Sequence, residues 1–180
     1  MNIMNKPSIK LVWFGILVNY ILLYLSIFDY LNNYMKSILP DLDSMVSVIL
    51  VSIIGILNLA SIFIGVLILS IIAYIFGRIF RIGITKREFL FICSIVMLVN
   101  TSIQIPIALA NFINDSNNIV LVSNNLLFTL FNPFLLLSIF VFYKLLLKYD
   151  VPKKIIISYC LTFYFLQLGS TLLSNRMLNL

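Results

Sequence analysis

Five long apolar stretches, separated by short polar segments, limit what this 180-residue chain can fold into. A helix needs about 17–25 predominantly apolar residues to cross the hydrocarbon core of a bilayer, which is about 30 Å thick. Each stretch meets this requirement. The sequence therefore predicts an all-α, polytopic integral membrane helix bundle that forms a single transmembrane domain, residues 1–180. Its five predicted spans are residues 11–28, 45–76, 89–113, 126–147 and 155–174.

Lysine and arginine are divided unequally between the two sets of loops that these spans would create. Lys36 and Arg176 fall on one side. The other ten fall on the opposite side: Lys6, Lys10, Arg78, Arg81, Lys86, Arg87, Lys144, Lys148, Lys153 and Lys154. Because cationic loops resist translocation, this asymmetry predicts a multi-pass protein of the cell membrane with its N-terminus in the cytoplasm and its C-terminus outside. The basic excess thus reflects topology and attraction to membrane lipids, and it does not indicate nucleic-acid binding.

The chain lacks the residue types that membrane enzymes and ion-coupled transporters usually need. It contains no histidine, and only 10% of its residues are charged. No ionisable carboxylate or basic residue falls in the middle of a predicted span, where such proteins usually place one. Cys93 and Cys160 lie within apolar stretches, a position typical of small buried hydrophobic residues. The composition therefore predicts a non-enzymatic protein with no metal and no other cofactor.

The most polar stretch within the spans begins at Asn100 in the third span. Asn100 and Gln104 are four residues apart, so they share one face of a helix. Pro106 lacks an N–H and frees a backbone carbonyl in the preceding turn. Asn132 precedes a proline near the start of the fourth span and predicts a second kink at a similar level. These four residues form a candidate intramembrane groove for a substrate or partner, and the alternative is hydrogen bonding between helices.

A basic segment, residues 77–88, separates the second and third spans and is predicted to lie in the cytoplasm. Its candidate contact residues for lipids or for a partner are Arg78, Arg81, Lys86 and Arg87. The alternative is that this segment serves only as a topogenic signal. Its glycines are not followed by the Lys-Ser/Thr pair of a phosphate-binding loop.

Small and polar residues recur on one face of the second span, at Gly55, Asn58, Ser61 and Gly65. Such stripes let helix backbones approach each other closely. They predict tight packing, either within the subunit or against a membrane protein partner or a second copy of the chain. The same span is longer than one vertical crossing needs, so it forms either one tilted helix or two pieces separated at Gly55 or Asn58.

The order of features between residues 74 and 168 is more specific than the composition. An inner loop with glycine and basic residues precedes a third span that ends near a proline. An Asn-x-Phe sequence then lies in the fourth span, and a lysine pair precedes the fifth. The residues concerned are Gly77, Gly83, Phe89, Pro106, Asn132, Phe134, Ser138, Lys153 and Lys154. This pattern resembles the Yip1 family of five-span membrane proteins, although Leu136 stands where the family often has an aromatic residue.

The Yip1 resemblance implies an accessory or interaction subunit without enzymatic activity. Some bacterial members accompany ABC-type exporters linked to antimicrobial peptide resistance, so the resemblance implies a possible exporter partner or a role in immunity to membrane-active peptides. A second hypothesis is a small-solute-binding component of an energy-coupling-factor-type importer. The chain length of 180 residues suits that class. Its usual six spans would require the second span to be split in two.

Overall fold

A computed structural model describes residues 8–41, 43–114, 120 and 130–178, with side chains described as far as residue 169. Regular structure in these residues is entirely α-helical, and none of them lies in a strand. The helices are α1 (Ile9–Ile38), α2 (Ser44–Ile79), α3 (Lys86–Thr101), α4 (Gln104–Ile113), α5 (Pro133–Leu147) and α6 (Lys153–Leu178). The prediction of an all-α chain is therefore confirmed.

Three helical segments in the described part of the chain are long and apolar enough to cross a membrane. They are α1, α2 and the segment Lys86–Ile113, which comprises α3 and α4. α5 is apolar but shorter, at 15 residues. The 36 residues of α2 rise about 54 Å, well beyond the hydrocarbon thickness of about 30 Å. The chain thus carries helices able to span a membrane, and α2 must tilt or extend past the bilayer to do so.

The first two helices are joined by a tight connection. α1 continues to Ile38, ten residues past the predicted end of the first span at residue 28, because no proline or glycine interrupts it before Pro40. Asp43 then caps α2, its carboxylate accepting from the Met45 N–H at 3.3 Å. From Ser44 to Ile79 the chain is one continuous helix.

The third predicted span is two helices that meet at a bend. Its start is fixed by a capping box in which Glu88 accepts from the Thr85 N–H at 2.9 Å, while the Thr85 hydroxyl accepts from the Glu88 N–H at 3.4 Å. The bend falls between α3 and α4. Pro106 cannot donate to the carbonyl of Ser102, which instead accepts from the Ile105 N–H at 3.1 Å. The freed carbonyl is therefore satisfied by a tighter turn of its own helix.

An aromatic core joins α2, α3, α5 and α6 near the loops that carry most of the basic residues. Phe89 and Phe163 are almost completely buried. The ring of Tyr159 contacts both Phe89 and Phe142, with centroid distances of 6.0 and 6.1 Å, and Phe142 in turn contacts Phe163 at 5.6 Å. The Tyr159 hydroxyl donates to the carbonyl of Ala73 at 2.8 Å, so the polar end of this buried ring is also satisfied.

Gly77 lets α2 approach this aromatic core closely. A Cβ atom at this position would lie 2.9 Å from Cε2 of Phe89 and 3.2 Å from the hydroxyl oxygen of Tyr159. Both distances are shorter than ordinary van der Waals contact, and the Phe89 ring is fully enclosed. Gly65, in the same helix, has no atom within 4 Å of its would-be Cβ.

We expect Gly77→Ala to be less stable than Gly65→Ala. Both substitutions gain the same helix propensity, about 0.5–1 kcal/mol, but only Gly77→Ala overpacks the core, at a cost of about 1–3 kcal/mol. Thermal unfolding in detergent measures the difference. Equal midpoints for the two variants would contradict the close approach at Gly77.

Candidate functional site

A layer of polar side chains lies about halfway along the helices. On α1, the Asn19 amide donates to the hydroxyls of Thr101 and Ser102, at 3.4 Å in each case. Asn19 and Thr101 are buried, with exposed fractions of 5% and 7%. Because buried polar groups are costly without partners, these bonds tie α1 to the end of α3.

Asn100 lies at the same level and joins α3 to α6. Its amide nitrogen donates to Oε1 of Gln167 at 3.2 Å, and Nε2 of Gln167 lies 3.6 Å from the sulfur of Met97. Asn100 follows Lys86 by fourteen residues, as Gln167 follows Lys153, and each interval rises about 21 Å. Asn100 thus lies near the middle of the segment Lys86–Ile113, and Gln167 near the middle of α6. The Asn100–Gln167 pair is a helix–helix hydrogen bond, the alternative that the sequence left open.

The other predicted groove residues, Gln104, Pro106 and Asn132, differ in their surroundings. Oε1 of Gln104 is buried and has no hydrogen-bond partner among the described residues. Pro106 is exposed. Asn132 caps α5, its side chain accepting from the N–H groups of Phe134 and Leu135 at 3.0 and 3.4 Å. The described residues thus show a helix contact at Asn100 and a helix cap at Asn132, and the groove itself stays a prediction.

Aromatic donors form a second set of bonds between α1 and its neighbours. The hydroxyl of Tyr20 donates to the carbonyl of Gly55 at 2.6 Å, and that of Tyr24 to the carbonyl of Val51 at 2.8 Å. Trp13 donates its indole N–H to the Ser94 hydroxyl at 2.8 Å. Sequence reasoning missed these residues. The usable signal was the spacing of Tyr20 and Tyr24, four apart on one helix face.

The small-residue stripe of α2 divides between an inward and an outward side. Gly55 faces α1, since a Cβ there would lie 2.6 Å from the ring of Tyr24. Asn58, Ser61 and Gly65 are exposed, and the Ser61 hydroxyl donates to the Asn58 carbonyl of its own helix at 2.7 Å. Tyr20 of α1 bonds to Gly55, three residues before Asn58. Asn58 of α2 is therefore level with the middle of the first predicted span, residues 11–28. We call Asn58, Ser61 and Gly65 the outward α2 face.

The basic residues at the junction of α2 and α3 are exposed, namely Arg78, Arg81, Lys86 and Arg87. α2 ends in a Schellman motif, in which the Ile82 N–H donates to the carbonyl of Gly77 and the Arg81 N–H to that of Arg78. Arg81 takes the left-handed position that usually favours glycine, with φ of 54°. The ammonium of Lys86 lies 5.3 Å from the ring centroid of Tyr74, within cation–π range.

Several hydroxyl groups in α3 and α5 bond within their own helix. The hydroxyls of Ser94, Thr101, Ser102 and Ser138 each donate to a carbonyl of their own helix. In the part of the chain that the structure describes, no group of three or more His, Cys, Asp or Glu residues could hold a metal ion. The bonds of Asn19, Asn100 and Tyr20 described above are contacts between helices.

Comparison of the chain with protein-family models, curated proteins and solved structures gives no match. The resemblance to the Yip1 family therefore stays a prediction. Several of the residues that carry it have structural roles: Gly77 packs against Phe89, Asn132 caps α5, and Ser138 is fully buried.

A double-mutant cycle tests the bond between Asn100 and Gln167. We expect Asn100→Ala and Gln167→Ala to be coupled by about 0.6–2 kcal/mol in unfolding free energy, the range for hydrogen bonds between membrane helices. Asn100→Ala combined with Asn132→Ala is the matched control and should be additive, because Asn132 caps a different helix. Coupling in the control pair, or none in the test pair, would contradict the assignment.

Proposed function

We propose that this protein is a non-enzymatic interaction subunit of the cell membrane with five spans, its N-terminus in the cytoplasm and its C-terminus outside. Three spans correspond to α1, α2 and Lys86–Ile113. The fourth would consist of α5 and the apolar residues before it, and the fifth of α6. The division of basic residues between alternate loops supports this orientation.

The outward α2 face is the observation that carries the proposed interaction. Asn58 exposes a side-chain amide at the depth of the bilayer, where lipid offers no hydrogen-bond partner. Gly65, two turns further along, leaves open space in which another helix backbone could approach. An exposed amide beside an open glycine suits a helix of a membrane protein partner or of a second copy of this chain.

The positions of the other polar groups support a role without catalysis. Asn100 bonds to a neighbouring helix and Asn132 caps α5, so neither side chain is presented to a bound substrate. This agrees with what the Yip1 resemblance implies, an accessory subunit that accompanies a membrane complex such as an ABC-type exporter, or that acts in resistance to membrane-active peptides. The basic loop would contact membrane lipids.

The solute-binding hypothesis is less well supported. It needs a sixth span, which a break in the second predicted span would supply. Ser44–Ile79 is a continuous helix, with Gly55 and Asn58 in its interior.

Purification of the tagged chain in mild detergent, followed by mass spectrometry, tests the proposal. We expect a membrane protein at stoichiometric level, or a homo-oligomer. A monomer that carries a defined small molecule would instead support the solute-binding hypothesis.

Variants of the outward α2 face test whether this surface is the one that binds the partner. We expect Asn58→Leu to weaken association by about 3- to 30-fold, the equivalent of one interhelical hydrogen bond, and Gly65→Leu to weaken it by blocking close approach. Ala60→Leu is the matched control, because Ala60 is exposed at a similar depth on the opposite face of α2. An equal loss with Ala60→Leu, or no loss with Asn58→Leu and Gly65→Leu, would rule out this surface.

A further inference from the structure

An apolar groove of about 460 Å³ lies between α5 and α6 and opens onto the surface of the bundle. It is lined by Leu136, Ile139, Phe140 and Tyr143 of α5 and by Ile157, Cys160, Leu161 and Tyr164 of α6. Both sets have the same spacing, so each helix contributes one continuous face. Seven residue steps along either helix make the groove about 10 Å long. We call it the α5–α6 groove.

At one end of the groove, lysines lie on the same helix faces as the residues that line it. Lys144 follows Phe140 by four residues, and its ammonium lies 5.4 Å from the centroid of that groove-lining ring. Lys153 and Lys154 precede Ile157 by four and three residues, so they lie on the corresponding face of α6. Lys148 lies one turn beyond Lys144. These four lysines are exposed.

The lysine end of the α5–α6 groove is positively charged, whereas the opposite end carries no charge. Asp150 is the one acidic residue between Lys144 and Lys154, which leaves a net charge of +3 from four lysines and one aspartate. At the opposite end, residues 130–135 and 165–169 contain no charged side chain. The groove is thus apolar along its length and cationic at one mouth.

We propose that the α5–α6 groove binds an anionic glycerophospholipid, with an acyl chain between the two helices and the headgroup phosphate at the lysines. A bilayer offers this combination of a long apolar chain and a negative charge at the membrane surface. Tyr143, at the cationic mouth, adds a hydroxyl donor near the headgroup. A helix of another protein would fill the apolar part but leave the lysines unmatched.

This inference rests on the proposed membrane insertion and is independent of the identity of any protein partner. It concerns a surface other than the outward α2 face and the basic loop between α2 and α3. Four of the lining side chains are exposed by 45–55%, namely Leu136, Phe140, Ile157 and Leu161, so lipid chains can reach the groove.

A tryptophan in the groove would report the bound lipid. The chain has one tryptophan, Trp13, so Trp13→Phe combined with Phe140→Trp gives a single reporter at an exposed lining position. The full chain is reconstituted in phosphatidylcholine vesicles to which brominated phosphatidylglycerol or brominated phosphatidylcholine is added. We expect phosphatidylglycerol to quench with a preference of about 30-fold, as two basic contacts of about 1 kcal/mol each would give.

Two matched sets of substitutions separate a specific site from general attraction to a charged surface. The first replaces the groove lysines by glutamine: Lys144→Gln, Lys148→Gln, Lys153→Gln and Lys154→Gln. The second removes the same charge from the other loop: Arg78→Gln, Arg81→Gln, Lys86→Gln and Arg87→Gln. We expect the first set to abolish the preference and the second to retain it. Equal quenching by the two lipids in the parent, or equal loss in the two sets, would overturn the proposal.

A second reporter distinguishes failure of this inference from failure of the proposed membrane insertion. Trp13→Phe combined with Ile64→Trp places tryptophan on α2, where Ile64 is 54% exposed. Both brominated lipids should quench it equally. Quenching at this reporter but not in the groove would mean that protein covers the groove, which overturns lipid binding. No quenching at either reporter would contradict membrane insertion itself.

Discussion

Hydrogen bonds between otherwise apolar helices are the interactions on which the arrangement of this bundle depends. In lipid, apolar side chains gain little by leaving one apolar neighbour for another, so close packing and polar contacts must select which helices meet. Asn19 joins α1 to α3, Asn100 joins α3 to α6, and Tyr20 joins α1 to α2. Each bond uses a side chain that would be costly to leave unpaired at this depth.

At one end of the bundle, close packing determines which helices meet. There Gly77 brings α2 against Phe89, and Tyr159 connects α6 to the carbonyl of Ala73. The buried Tyr159 hydroxyl is thereby satisfied within the bundle. The surfaces with distinctive chemistry, the outward α2 face and the α5–α6 groove, point away from the core. The proposed functions therefore concern partners within the membrane, one a helix and the other a lipid.

Much of the secondary structure could be predicted from apolar run lengths, because a membrane-spanning helix has a strong compositional signal. The extension of α1 to Ile38 was harder to predict, because the polar residues after Asp29 resemble a loop when only hydropathy is considered. The candidate site was less predictable still. The sequence identified Asn100 as polar but could not reveal Gln167 as its partner, 67 residues away. Asn132 was assigned to a groove because an Asn-Pro sequence can kink a helix. The same sequence can also cap a helix, as it does at the start of α5, and only the backbone geometry shows the cap.

The side of the membrane on which each connection lies tests the central claim most directly. Single cysteines are introduced at Asp41, Gly83 and Lys148 in a background with Cys93→Ala and Cys160→Ala. A membrane-impermeant thiol reagent is then applied to intact and to permeabilised cells. The five-span arrangement predicts labelling of Asp41→Cys in intact cells, and of Gly83→Cys and Lys148→Cys only after permeabilisation. Labelling of all three positions under one condition, or the reverse pattern, would contradict it.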